Sequence, residues 1–277
     1  MLKTGVIGLG QIGGGVAVCL ARAGLLAAVY DVRPEAAEGL EGVPGCAASP
    51  AEVARQCDVV VVAVVDADQV RGVLKGDNGL LAGARPGMTV VLQSTVSLPD
   101  LEDLRALVEG GQGVLVDCGV TGGTRAADKG LVSLVGADQE TFERIEPVLE
   151  AFSAAVVHMG GAGAGMAAKI ARNVIVYSVW RAGHEGALLA EAAGVDVRKL
   201  AEAIDISAEA VGGPTTWMTR PAEPGDDEGE KALRHHVLGL LTKDLGAALS
   251  LAEDLGVDLP TARLSRESAK EMLKIEE

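Results

Sequence analysis

The 277 residues are enough for two ordinary domains, and an apolar share of 48% with only 2% aromatics means the core must be Val, Leu, Ile and Ala. Such a composition suits a Val-rich parallel sheet covered by Ala/Leu helices better than an aromatic-rich β-sandwich. A formal net charge of −15 argues against nucleic acid as a main partner, because phosphate neutralisation needs clustered Lys and Arg.

Met1-Leu2-Lys3 and the apolar run after it have the outline of a secretory leader. Gly8, Gly10 and Gly13–Gly15 interrupt that run in a pattern with a better use, so the segment reads as mature sequence. The apolar stretch Val59–Val65 is too short to span a membrane. Cys19, Cys46, Cys57 and Cys118 show neither a CxxC pair nor metal-ligand spacing, which fits reduced thiols in a cytoplasmic protein and predicts no metal site.

Along the first half, β-branched runs alternate with helical patterns. Strands are predicted at Gly5–Gly8, Ala27–Val32, Val59–Val65, Thr89–Gln93, Val114–Asp117 and Leu131–Val135. Helices are predicted between them at Ile12–Ala23, Glu52–Gln56, Asp68–Leu74, Asp100–Val108 and Gln139–Glu150. From about Gly163 the β-branched runs stop, and helical patterns follow at Met166–Ala193, Val197–Ile206, Glu230–Leu255 and Thr261–Lys274. The expected fold class is α/β: an N-terminal Rossmann domain (1–162) with a doubly wound, mostly parallel sheet, then an all-α domain (163–277) built on a long connecting helix. Gly212–Gly229, rich in Pro, Gly and acids, reads as a loop, its Asp226-Asp227-Glu228 run as a solvated surface.

The first strand runs directly into Gly8-Leu9-Gly10-Gln11-Ile12-Gly13, a GxGxxG at the start of a helix. Gly8 permits the tight turn, Gly10 lets a pyrophosphate approach the backbone, and Gly13 lets helix and strand pack closely. The phosphates would then meet the N–H groups of the helix start. Asp31, 18 residues past Gly13 at the end of the next predicted strand, is placed to hold ribose hydroxyls. It equally suits an N-cap before Pro34. An acid there repels a 2′-phosphate and favours NAD, whereas Arg33, beyond Val32, could accept that phosphate, so NADP stays open.

Gly163-Ala164-Gly165-Met166-Ala167-Ala168-Lys169-Ile170-Ala171-Arg172-Asn173 is a glycine-rich entry to the long helix, with Lys169 and Asn173 one turn apart on one face. Taken alone, Lys169 reads more readily as a snorkelling surface lysine than as a catalyst. Four segments in order, however, make the chain resemble the β-hydroxyacid dehydrogenase family. These are Gly8–Gly24 (GLGQIGGGVAVCLARAG), Asp117–Gly130 (DCGVTGGTRAADKG), Gly160–Asn173 and Lys243-Asp244-Leu245. The resemblance implies hydride transfer between a nicotinamide dinucleotide and a small hydroxy acid. It makes Lys169 the proton carrier and Asn173 its partner in holding the substrate, with Thr121-Gly122-Gly123 as a cradle for a carboxylate. It also implies that Thr95 lies near the nicotinamide ribose and that Lys243 closes over the cofactor. Val64, Val65 and Asp66, at the end of a central strand, are expected to pass close to the dinucleotide.

The chain departs from the family pattern at Gly119 and Thr121, where proline and serine are usual, and at Leu92, where aspartate is common. These departures leave the substrate open within the class of short 3-hydroxy carboxylates. His184-Glu185 begins like a zinc-protease motif, but Leu188 stands where the second histidine belongs. His235-His236 read as surface residues, Tyr177, Trp180 and Trp217 as cleft or packing residues, and Cys118 as a small buried hydrophobe. The alternatives are an imine reductase or oxidative decarboxylase on the same fold, and a non-catalytic dinucleotide-binding interaction module. Lys169 counts against the imine reductase and, with Asn173, against the module. The Ala/Leu-rich helical half offers surface for a homodimer or homotetramer.

Overall fold

The computed structural model describes residues 2–211 and 227–275; Trp217, Asp226 and most of the predicted Gly212–Gly229 loop lie outside them. The chain divides into two compact units, Met1–Arg172 and Asn173–Glu277, with the division inside one long helix.

The first unit is a seven-stranded sheet in the order β2-β1-β3-β4-β5-β6-β7. Strands β1 (Thr4–Ile7), β2 (Leu26–Tyr30), β3 (Val59–Val62), β4 (Thr89–Leu92) and β5 (Val114–Thr121) are parallel. Strand β6 (Leu131–Gly136) runs antiparallel to β5, and β7 (Ser153–Gly160) parallel to β6. The sheet is therefore mostly parallel and doubly wound, as the strand–helix alternation predicts. Successive valines of β3 enter opposite layers, Val59 and Val61 one and Val60 and Val62 the other, so the run is apolar on both faces. One layer holds α1 (Gln11–Arg22) and α6 (Gln139–Glu150); the other holds α2 (Pro50–Gln56), α3 (Ala67–Leu74), α5 (Leu98–Gly110) and Met166. The short α4 (Leu80–Gly83) completes the helices of this layer.

Two features escape the sequence pattern. Strand β7 is an edge strand with most of its side chains exposed or half-buried, so Ala154-Ala155-Val156-Val157 lacks the alternation that marks a half-buried strand. Strand β5 continues four residues beyond its predicted end at Asp117. Gly119 interrupts the β-branched pattern there, yet antiparallel pairing with β6 (Gly119 opposite Leu134, Thr121 opposite Val132) carries the ladder onward.

The three adjacent glycines of α1 serve packing. A Cβ on Gly15 would lie 2.5 Å from Ala126 Cβ and 2.6 Å from Ala127 N, so only glycine lets the 3-10 segment Gly123–Asp128 dock on this helix. The Cys19 thiol donates to the Ala126 carbonyl at 3.3 Å, and Arg22 donates to the Ala127 carbonyl at 2.9 Å.

The second unit is helical: the rest of α7 (Ala164–Ala192), then α8 (Val197–Val211), α9 (Glu228–Leu255), α10 (Pro260–Glu267) and α11 (Ala269–Met272). Glu185, half of the abandoned zinc motif, caps α10: its buried carboxylate accepts the Thr261 N–H at 2.9 Å and the Ala262 N–H at 3.2 Å, and Arg181 pairs with it at 3.0 Å. Asp227 caps α9 through the Glu230 N–H, so part of the predicted acidic run complements a helix N-terminus. Tyr177 and Trp180 meet edge to face at 5.3 Å and are exposed by 57% and 66%. Among the described residues no helix is long and apolar enough to cross a membrane, and no cluster of ligands could hold a metal ion.

A Gly15→Ala substitution should overpack this junction and cost about 1–3 kcal/mol of stability, seen as a lower urea midpoint with an unchanged slope. An unshifted midpoint would show that the contact of α1 with residues 123–128 is loose.

Candidate active site

The order of the sheet reverses between β1 and β3, where a doubly wound fold binds its ligand at the carboxyl ends of the strands. Gly8 has φ +88°, and a Cβ there would come within 2.6 Å of the Ala63 carbonyl oxygen, so the turn out of β1 needs glycine. A Cβ on Gly13 would collide with the Gly8 carbonyl oxygen, which fixes Gly13 as the packing glycine. Gly10 differs: a Cβ would meet nothing within 4 Å, leaving open space over the N-terminus of α1. That helix has no side-chain cap and no acid in its first turn. An uncapped N-terminus beneath open space fits a pyrophosphate.

A cleft of about 990 Å³ opens beside this turn, lined by Gly8, Gly10, Asp31, Val32, Arg33, Val64 and Val65 from the sequence-predicted set. Tyr30, Pro50, Gln69, Val73 and the Lys75–Gly79 turn also line it, and sequence reasoning missed all of them. Their one available signal is position: Tyr30 ends β2, Pro50 starts α2, and Gln69, Val73 and Lys75–Gly79 lie on or just after the helix that follows β3. The predicted Leu9, Gln11, Ile12, Gly13, Asp66 and Thr95 do not line the cleft. Leu9 is buried in the core, Asp66 caps α3 through the Gln69 N–H at 2.8 Å, and Thr95 is exposed. Ser94, before Thr95, is buried and ties β4 to the end of β3: its Oγ donates to the Val64 carbonyl at 2.7 Å and accepts the Val64 N–H at 3.1 Å.

Asp31 is a latch on the turn. Its Oδ2 accepts the Leu9 N–H at 2.8 Å and its Oδ1 the Arg33 N–H at 3.0 Å, while Arg33 Nε stands 3.4 Å from Oδ1. It does not cap the short helix after Pro34, whose N-cap is Arg33. Burial favours the neutral acid, but these amide hydrogen bonds and the Arg33 charge outweigh it and hold the carboxyl below its ordinary range. Carboxylate oxygens can accept further hydrogen bonds, which leaves capacity for ribose hydroxyls.

Within the first unit, one of the other two motifs meets the start of α1 and the second meets β5. The Cβ position of Gly123 lies 3.4 Å from Ile12 Cγ1, so the Thr121-Gly122-Gly123 turn abuts the start of α1. Gly122 has φ +85°. Two residues before Thr121 on β5, Gly119 supports Lys169: a Cβ there would overlap Lys169 Cβ and lie 2.9 Å from its Cγ. Lys169 is half-buried; burial, with the Arg172 charge adding to it, pushes its ammonium below the usual lysine range. Asn173 follows one turn along the same helix. Cys118, on the same strand, is fully buried, and burial pushes its thiol up to about 12, an inert hydrophobe. In the second unit Lys243 is exposed, its Nζ 3.1 Å from Asp244 Oδ1.

This sheet order and bare helix start define a dinucleotide-binding fold of the Rossmann type. Residues 3–161 match the family model for the NAD-binding domain of 6-phosphogluconate dehydrogenase, and residues 163–276 match that for the NAD-binding region of NADP-dependent 3-hydroxyisobutyrate dehydrogenase. An uncharacterized oxidoreductase of Mycobacterium tuberculosis is 38% identical over 95% of this chain and 90% of its own. The L-threonate dehydrogenase of Cupriavidus necator is 36% identical over 95% and 84%. The solved 3-hydroxyisobutyrate dehydrogenase of Mycobacterium tuberculosis, with L-serine, is 29% identical, covers 99% of this chain and 94% of its own, and has a TM-score of 0.68. The chain belongs to the β-hydroxyacid dehydrogenase family, enzymes that use NAD or NADP.

Two glycines separate fold from binding. Gly13→Ala should lower the melting temperature, whereas Gly10→Ala should leave it unchanged and weaken NAD at least tenfold by calorimetric titration; a Gly10→Ala protein with wild-type affinity would remove the pyrophosphate from this turn. Asp31 carries a pH signature. Its folded pKa is depressed, so its stabilisation is complete above the unfolded value of ~3.9 and fades as pH falls through the lower folded value. Asp31→Asn should therefore cost stability in urea at pH 7, with the gap from wild type closing as acidification passes below the unfolded value and through the lower folded one. A gap that stays constant would show that the carboxylate charge is not what holds the turn.

Proposed function

We propose that this enzyme interconverts a short 3-hydroxy carboxylate and its semialdehyde or keto form, with Lys169 as the general acid/base. The supporting observation is Lys169 seated on Gly119, half-buried and two residues along β5 from the Thr121-Gly122-Gly123 turn. A lysine with its pKa lowered by burial loses its proton more readily than a free one, so it can take the substrate hydroxyl proton as an amine or return it as an ammonium.

The glycine turn exposes backbone N–H groups without side-chain obstruction and suits a carboxylate. Thr121 adds a hydroxyl, and Asn173 has donors and an acceptor to hold the substrate in register with Lys169. The dinucleotide, when bound, supplies the hydride acceptor or donor. Gly8, Gly10 and the α1 N-terminus would hold its pyrophosphate, with Gly13 keeping that turn packed and Leu9, Gln11 and Ile12 completing it. Asp31, Val32 and Arg33 would flank the adenosine ribose. Val64 and Val65 would line its path, and Asp66, Thr95 and Lys243 are read as further cofactor residues outside the cleft wall. NAD is favoured over NADP, because Asp31 presents a carboxylate where a 2′-phosphate would sit, although Arg33 lies beside it. Residues 1–162 and 163–277 are read as the dinucleotide-binding and substrate domains of a cytoplasmic homodimer or homotetramer. Exposed apolar side chains of the helical unit, Tyr177, Trp180 and Leu233 among them, support self-association.

NADH formation from a panel including 3-hydroxyisobutyrate, L-serine and L-threonate tests this reading. Lys169→Ala should lower kcat by about 10²–10⁴ while NAD affinity stays within twofold. Equal turnover by variant and wild type would end the assignment of Lys169. NAD binding without turnover of any panel member would end the assigned substrate class.

A further inference from the structure

Two charged residues of the first unit, the buried Asp117 and the half-buried Arg105, have no part in the chemistry above. Asp117 on β5 is fully buried, and its carboxylate reaches the first turn of α7: Oδ1 accepts the Gly163 N–H at 2.7 Å and Oδ2 the Met166 N–H at 2.8 Å. Two glycines make room for it. A Cβ on Gly136, the residue opposite Asp117 on β6, would lie 2.6 Å from Asp117 Oδ1, and one on Gly165 would lie 2.7 Å from the Asp117 carbonyl oxygen. Arg105 of α5 brings Nη2 to 3.7 Å from Oδ1, a compensating charge on the same buried group.

Side chains two apart on a strand share a face, so Asp117 and Gly119 present one surface to α7. Asp117 grips the first turn by hydrogen bonds, and Gly119 receives Lys169 one turn later by contact. These two points fix both the rotation of the helix and its advance along the strand.

We propose that Asp117 is a positioning residue that sets the register of α7 and so holds Lys169 at the carboxyl edge of the sheet. The proposal rests on the reading of Lys169 as the proton carrier. Asp117 acts through that lysine and touches neither substrate nor cofactor. In an Asp117→Asn protein one oxygen acceptor becomes an N–H₂ facing a backbone N–H, so one grip is replaced by repulsion at nearly constant volume. The helix start then shifts, and Lys169 gains water.

The test compares wild type, Asp117→Asn, Gly119→Ala and Lys169→Ala. For the first three, the pH dependence of Lys169 acylation by a small amine-reactive ester is read by peptide mass spectrometry, alongside steady-state kinetics. Asp117→Asn should raise the apparent pKa of Lys169 by about one unit, which is about tenfold in its neutral fraction. It should lower kcat at least tenfold, with KM and NAD affinity within twofold. Gly119→Ala, which disturbs the second contact, should give the same signature, and it carries the test if Asp117→Asn does not fold. A folded Asp117→Asn protein with wild-type acylation profile and kcat, differing only in melting temperature, would make Asp117 a stability residue and overturn the proposal. If Lys169→Ala retains full activity, the catalytic reading fails instead, and the acylation profiles still judge whether Asp117 positions the lysine.

Discussion

A buried carboxylate must have its hydrogen bonds supplied by the protein, and that requirement at Asp117 organises the first unit. The backbone N–H groups that start a helix have no partners within it, so the start of α7 needs acceptors. Asp117 supplies two, and the exchange brings the long helix against the carboxyl end of β5. Two glycines, Gly136 and Gly165, make the approach possible because any side chain at either would occupy the carboxylate's or the strand's space. The elements that carry chemistry are thus held by backbone proximity, with little help from large side chains. That suits a chain whose aromatic content is only 2%.

The same economy recurs on the other face of the sheet. Gly13 brings α1 onto the turn out of β1, and Gly15 brings the segment after β5 onto α1. The two contacts lie within one turn of a single helix, so the dinucleotide turn and the glycine turn of β5 are fixed relative to each other. Asp31 adds a latch from β2 to the Leu9 amide. Three motifs far apart in sequence therefore converge on the carboxyl edge of one sheet, where parallel topology leaves room for a ligand.

Much of the fold is legible from alternation. The valine run of β3 enters two apolar layers, and the helices at Gln11–Arg22 and Gln139–Glu150 lie where the periodicity puts them. Strand β7 escapes because an edge strand with exposed side chains has no core to impose a pattern, and the end of β5 because Gly119 interrupts it. In the site, Gly8 and Gly10 announce themselves by spacing, but Gln69, Val73 and Lys75–Gly79 do not, since a cleft wall needs surface and no fixed residue type. Glu185 reads as a failed metal motif because, Arg181 apart, its partners are backbone amides 76 and 77 residues away, which leave no mark on side-chain identity.

The sequence by itself determined a dinucleotide-binding turn, through a strand running into GxGxxG and an acid after the next strand, and the resemblance of four ordered segments to one family implied the hydroxyacid dehydrogenase class. These signals are local, because each depends on backbone conformations that neighbouring residues dictate. Only the tertiary structure decided what Gly119 is for. In sequence it is a departure from the family pattern; in the fold it is the surface of β5 against which the Lys169 stem lies. The reason is physical, since the clearance a side chain needs is set by an element that packs from fifty residues away, and no local pattern records that distance.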